Sequence, residues 1–211
     1  MSKSVRNAAL LLAAVGILLA VAPLAAKPVV STTTKTLDNL QAAYNGESNA
    51  HARYLAFAQK ADEEGYGKAA TLFRAAARAE EIHAQNHAVV IRDLGGEPKA
   101  VIEPAVVKST RENLQAAIAG ETYERDTMYP DFLAAAKAEG VRSALQTLNY
   151  AKTAEAEHAK LYQAALDKLD EMKGKGDNYY VCTVCGMTVK VVDFAKCPSC
   201  FNPKDKYVAV A

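Results

Sequence analysis

Two Glu-x-x-His pairs, Glu80/His83 and Glu155/His158, each have a further glutamate one helix earlier, Glu47 and Glu121. Residues three apart on a helix share a face, so each pair can offer a carboxylate oxygen and an imidazole nitrogen to one centre. Carboxylates suit hard divalent ions, and imidazole shifts the preference toward iron, manganese or zinc. A bridging glutamate can hold two such ions close together, so the set fits a two-metal carboxylate site inside a four-helix bundle. A second donor set lies near the C-terminus, where Cys182-x-x-Cys185 and Cys197-x-x-Cys200 stand eleven residues apart. Four sulfurs in a tetrahedron suit iron or zinc, and the spacing does not choose between them. Zinc would be structural, whereas iron could carry one electron. Two disulfides are the alternative use of the cysteines. Two metal centres in one chain point to redox chemistry, with electrons passing between them.

The elements that must position these residues follow from the apolar spacing. Leu37, Leu40, Tyr44, Tyr54, Ala58 and Ala61 form a helical stripe that contains Glu47, and the stripe breaks at Glu63–Gly67. A second helix carries Ala69, Leu72, Phe73, Ala76, Glu80, His83, His87, Val90 and Leu94, and stops at Gly95-Gly96. Residues 97–108 hold two prolines and no helical period. A third helix opens at Ser109 with Glu112 as its capping-box partner, runs through Leu114, Ala117, Ile118, Glu121, Met128 and Phe132, and ends at Gly140. A fourth carries Leu148, Ala151, Glu155, His158, Tyr162, Ala165 and Leu169. Short turn, long crossover, short turn is the ferritin-like order. The glutamates therefore occupy stripe positions that otherwise hold Leu, Phe and Ala, and four buried carboxylates without a counter-ion would be very costly.

The two halves repeat. The string NLQAA occurs at Asn39–Ala43 and at Asn113–Ala117, and Glu47 maps to Glu121 at the same offset of 74. After a one-residue insertion, Glu80 maps to Glu155 and His83 to His158. The symmetry fails where Glu124 stands against Ala50; by spacing Glu124 reads as a fifth inward carboxylate or as a surface charge. His51 and His87 also lie on stripes, and a hydrogen-bonded supporting role suits them better than ligation.

The chain of 211 residues, half of them hydrophobic, suits a bundle plus a small module, and with a formal net charge of +1 nothing argues for nucleic acid or an acidic polymer as partner; no nucleic-acid partner is expected. Lys3 and Arg6 precede an apolar run and a small-residue end, the layout of an export signal over residues 1–26 with cleavage after Ala26. An uncleaved membrane anchor is the alternative. The expected organisation is this signal or anchor, a bundle over 36–172 and a cysteine module over 179–211, joined by the polar linker 173–178. The expected location is outside the cytoplasm, in the periplasm, with membrane contact only if the N-terminal segment is retained.

The segments NGESNAHARY, EEIH, AGETYERDTMYPDF and AEAEH, followed by the paired cysteine knuckles, closely resemble rubrerythrin from Leu37 to the C-terminus. The resemblance implies a mainly α, ferritin-like bundle with a rubredoxin-like domain. It further implies that Glu47, Glu80, His83, Glu121, Glu124, Glu155 and His158 bind two irons, and that Cys182, Cys185, Cys197 and Cys200 bind one. Glu124 and His83 would exchange as ligands of one iron, and Tyr54 and Tyr129 match tyrosines near that centre. The implied activity is peroxidase: hydrogen peroxide is reduced to water, with electrons relayed from an unidentified donor through the cysteine-bound iron, typically across a head-to-tail homodimer. The alternatives are an iron-handling ferroxidase, or a non-enzymatic bundle with a structural zinc ribbon. One departure stands out: Phe201 occupies a position after the second cysteine of a knuckle that favours glycine. An altered knuckle geometry and a shifted reduction potential are expected there.

Overall fold

Thr34 opens the first helix: its backbone is extended and its hydroxyl accepts the Leu37 N–H at 3.2 Å. The computed structural model describes residues 34–211, and the proposed export segment with its Ala26 cleavage point lies outside them. Helices α1 (Lys35–Glu63) and α2 (Gly67–Asp93) form one hairpin. Helices α3 (Thr110–Tyr123), α4 (Tyr129–Ala138) and α5 (Arg142–Asp167) form the second. The capping box expected at Ser109 and Glu112 is present. No helix of the described residues is long and apolar enough to cross a membrane.

The core is built from small residues between a few large ones. Leu40, Leu72, Leu114 and Leu148, one from each bundle helix, are fully buried, and Tyr54, Phe57, Phe73 and Tyr162 cluster at one end. Truncating a buried ring such as Phe73 to alanine would cost about 3–5 kcal/mol. Helix α2 is buried on nearly every face, with Ala69, Ala70, Ala75, Ala76, Ala77 and Ala79 all inaccessible. The reason is its position: α1 and α5 cover one side, and the small sheet of the cysteine module covers another.

The third helix is not continuous as its stripe suggests. A π-helical segment, Glu124–Met128, separates α3 from α4. Glu47 precedes Tyr54 by seven residues, whereas Glu121 precedes Tyr129 by eight. The additional residue of the second repeat is taken up by the wider π turn, so the segments on either side keep their faces.

The crossover, residues 94–109, lies along α1. The side chains of Gln41, Asn45 and Asn49, one turn apart, accept the N–H groups of Lys99, Val101 and Glu103 at 3.2, 2.9 and 2.8 Å. This ladder gives extended backbone the partners that a sheet would otherwise supply.

The module is a three-stranded antiparallel sheet in the order β2-β1-β3, with β1 Tyr179–Cys182, β2 Thr188–Val189 and β3 Tyr207–Val210. The linker to it is strapped to the bundle: Gly174 N–H donates to Gly65 O at 3.0 Å, and a Cβ on Gly67 would overlap Gly174 O. The expectation of an altered second knuckle is not met. Gly186 adopts φ +76° and donates to Cys182 O at 2.9 Å; Phe201 adopts φ +59° and donates to Cys197 O at 3.0 Å. Phe201 takes the glycine conformation because its side chain, 72% exposed, meets nothing that would force it out.

Candidate metal centres

Glu47 from α1, Glu80 and His83 from α2, Glu121 from α3, and Glu155 and His158 from α5 are all buried at the bundle axis. Their donor atoms form two overlapping sets of four, each with its atoms within 4.8 Å of one another. One set is Glu47, Glu80, His83 and Glu155; the other is Glu80, Glu121, Glu155 and His158. Glu80 and Glu155 belong to both, the arrangement that bridging carboxylates of a two-metal site require. Each histidine turns Nδ1 inward: His83 Nδ1 lies 2.9 Å from Glu80 and 3.1 Å from Glu155, and His158 Nδ1 lies 2.9 Å from Glu155.

The charges in this cluster are balanced only if cations are added. Buried oxygens of Glu47, Glu80, Glu121 and Glu155, together with His158 Nδ1, have no hydrogen-bond partner and converge on one another. Burial pushes the Glu121 carboxyl up to about 8, reinforced by the charge of Glu80. Burial, then the charge of Glu124, raises Glu47 in the same direction. For His83 burial acts downward, but the charges and hydrogen bonds of Glu155 and Glu80 together outweigh it and lift the imidazole to about 10. For Glu80 burial acts upward, but the adjacent His158 and His83 imidazoles together outweigh it and hold it at about 2. Protons thus stand where divalent ions would, and hard oxygen donors with two imidazole nitrogens fit iron.

The four cysteine thiols are buried and unpaired. Cys182 and Cys200 Sγ lie 3.7 Å apart and Cys185 and Cys197 Sγ 3.6 Å apart. A tetrahedron with metal–sulfur bonds of roughly 2.3 Å has edges of about 3.8 Å, whereas a disulfide would need about 2.05 Å. The cage has the size of a single ion, which sets the disulfide alternative aside.

The two centres meet. His83 Nε2 lies 3.1 Å from Cys185 O, and His158 Nε2 lies 2.9 Å from Thr188 Oγ1. Asn86 Nδ2 donates to Val184 O at 2.9 Å, beside them. Gly186 sits against the His83 ring, where a Cβ would overlap Nε2. The module therefore docks on the carboxylate site of its own chain, whereas the resemblance implies that a partner chain brings it. Thr188 and Asn86 carried no signal in the sequence, because nothing in the spacing says which face of the sheet lies on the bundle.

The rubrerythrin family model matches residues 38–166. The chain belongs to the rubrerythrin family. It is 42% identical over 175 residues to a nigerythrin of Nitratidesulfovibrio vulgaris, covering 82% of this chain and 86% of that one. It is also 42% identical over 178 residues to rubrerythrin-2 of Clostridium acetobutylicum, covering 82% and 96%. The solved fully reduced, all-ferrous nigerythrin superposes with a TM-score of 0.76 at 40% identity, over 86% of this chain and 91% of that chain. A Desulfovibrio desulfuricans bacterioferritin, at 24% identity and a TM-score of 0.63, shares the fold. The ferritin-like bundle with a rubredoxin-like module is thus present. So are a di-iron carboxylate site and a four-cysteine site able to hold one iron.

The remaining residues linked to the rubrerythrin site fall around it. Tyr54 OH donates to Glu121 Oε1 at 2.6 Å, and Tyr129 OH donates to Glu47 Oε1. His87 lies between Tyr129 OH at 3.3 Å and Thr147 Oγ1 at 2.9 Å, a supporting role as expected. Burial, with the charge of His83, holds it down at about 3. His51 Nδ1 bonds to Ala77 O at 2.7 Å on the outside of the bundle. Glu124 joins neither donor set. It is partly exposed and lines a cavity of about 710 Å³ with Asn49, Arg53 and Glu103. Burial and the charge of Glu121 raise its carboxyl well above the usual range.

Proposed function

We propose that this protein is a peroxidase that reduces hydrogen peroxide to water at the carboxylate site, drawing electrons through an iron held by Cys182, Cys185, Cys197 and Cys200. Glu47, Glu80, His83, Glu121, Glu155 and His158 would hold the two irons, with Glu124 completing the set. The observation that carries the reading is the contact of both site histidines with the first cysteine knuckle, His83 on Cys185 O and His158 on Thr188 Oγ1. An iron-storage bundle has no use for a thiolate cage docked on its metal ligands, whereas a site that must be re-reduced after each turnover does.

Two bound ferrous ions would supply the two electrons that, with two protons, convert one peroxide molecule to two waters. The protein's part is to place donors and protons. Glu124, at the wall of the cavity and within the field of the charges of Glu121 and Glu155, would add a carboxylate from the cavity side to the donors of one iron. Tyr54 and Tyr129 keep Glu121 and Glu47 oriented through their hydroxyls. Half-buried Arg53, with its guanidinium 5.5 Å from the Tyr54 ring centre, offsets the negative charge beside Glu124. We further propose export of the chain, on the N-terminal pattern, with its reductant outside the cytoplasm.

The test is anaerobic mixing of the fully reduced protein with peroxide and, separately, with oxygen. Fast oxidation by peroxide and slow oxidation by oxygen is expected; the reverse order would reject the peroxidase reading in favour of a ferroxidase. The visible spectrum of the cysteine site distinguishes coloured, bleachable iron from colourless zinc.

A further inference from the structure

We propose that Thr188 is a positioning residue for the metal pair, so that the cysteine module orients both site histidines and not His83 alone. The inference rests on the two-metal reading of the carboxylate site. Cys185 O can only accept, so the His83 Nε2 facing it at 3.1 Å must carry a hydrogen. Thr188 has one hydroxyl hydrogen, and Gly186 O, which can only accept, lies 3.1 Å away. With that hydrogen given to Gly186 O, a lone pair on Thr188 Oγ1 faces His158 Nε2 at 2.9 Å, and His158 Nε2 must donate. A neutral imidazole protonated at Nε2 leaves Nδ1 free, and Nδ1 is the atom both rings present to the carboxylates.

The two sets are thus treated alike. Each histidine spends Nε2 on the segment Cys185–Thr188 and offers Nδ1 to one metal position. Thr188 and both histidines are buried, so water cannot replace the hydroxyl. Valine in its place would fill the same space but leave a buried N–H without an acceptor. Loss of such outer partners of a ligating histidine lowers metal affinity by about 10–100-fold.

The experiment titrates full-length protein with zinc against a chelator, for wild type, Thr188→Val and Thr188→Ser. Thr188→Val is expected to weaken one of the two carboxylate-site ions by about 10–100-fold and leave the other unchanged, and Thr188→Ser, which keeps the hydroxyl, is expected to restore it. Equal thermal unfolding and an unchanged cysteine-site metal content show that the loss is local. Nitrogen NMR of the zinc-loaded wild type reads the tautomer directly, even if Thr188→Val does not fold: the proton must sit on His158 Nε2. A proton on Nδ1, or Thr188→Val binding both ions as tightly as wild type, would overturn the inference alone. A wild type that takes up no metal pair would overturn the two-metal reading itself, and this inference with it.

Discussion

Tyr54 and Tyr129 each donate their hydroxyl to the glutamate of the opposite hairpin, Tyr54 to Glu121 and Tyr129 to Glu47. The two repeats are therefore interlocked at the site: each supplies a candidate ligand and the support for its counterpart. The glutamates are offset by 74 residues and the tyrosines by 75. The difference is absorbed between them, in the π turn Glu124–Met128. That turn keeps Tyr129 in register and sets Glu124 where the first repeat has Ala50.

Deleting Asp126, an exposed residue of the π turn, should convert the segment to ordinary helix with Glu121 and Tyr129 still on their faces. The spacing then equals that of Glu47 and Tyr54. The variant should fold and bind two metals, but with the wider turn gone Glu124 would be shifted to the helical place that Ala50 holds in the first repeat, and oxidation by peroxide should change by about 10–100-fold, the usual effect of disturbing a group that supports a metal site. Stopped-flow oxidation checks this, and an unchanged rate would remove Glu124 from the mechanism.

Gly186→Ala should separate the module from the bundle. The position has φ +76°, and the added methyl would overlap His83 Nε2. The backbone strain alone costs about 1–2 kcal/mol. The expected outcome is faster proteolysis in the linker at Lys173 or Lys175, while the helical content of the bundle is kept. Cleavage at the wild-type rate would show that the docking tolerates the methyl.

Phe201→Gly should stabilise the module without moving its reduction potential. Phe201 already donates to Cys197 O as glycine would, so the surroundings of the sulfurs stay as they are. What changes is the cost of a non-glycine left-handed residue, about 1–2 kcal/mol. Thermal unfolding of the iron-loaded protein should shift upward by that amount, and a shifted potential would show that the ring itself tunes the iron.

Metal removal should make stability depend on pH. In the metal-free chain Glu121 is raised from its ordinary value to about 8, so its contribution is present below about 4.5 and lost as pH rises toward 8. His83, raised to about 10, behaves alike between 6.5 and 10. Glu80, held at about 2, acts in the opposite sense and is lost only in strong acid. The melting temperature of the metal-free protein should fall from pH 5 to pH 9. With metal bound the ions replace those protons, the profile should flatten, and calorimetry should record proton release on binding.

Electron delivery should stay within one chain. The linker is strapped to the α1–α2 turn by the Gly174–Gly65 bond, and the knuckle already lies on its own site. A mixture of a Cys182→Ser/Cys185→Ser variant with a Glu80→Ala/Glu155→Ala variant should recover no peroxidase turnover. Recovery in the mixture would place the working contact between chains, as the family resemblance implies.

The chemistry of this protein is local in its sequence. Glu-x-x-His at helical spacing, the duplicated glutamates and the paired cysteine knuckles mark the candidate donors, because three residues of helix or two of a knuckle suffice to bring donors to one face. The four helices, the long crossover and the Ser109 cap follow from periodicity and capping for the same reason. What the tertiary structure decided are relations between segments far apart in the chain. The π turn was hidden because inserting one residue leaves every apolar position reading as helix. The sharing of Glu80 and Glu155 between both donor sets depends on how the hairpins face each other. Phe201 shows the limit of a local rule: its strain is visible in the sequence, but whether the knuckle yields depends on the open space around the ring. The seating of the cysteine module on His83 and His158 is a contact across 102 and 30 residues. No local spacing encodes it, because it is made by the packing of a sheet on a helix.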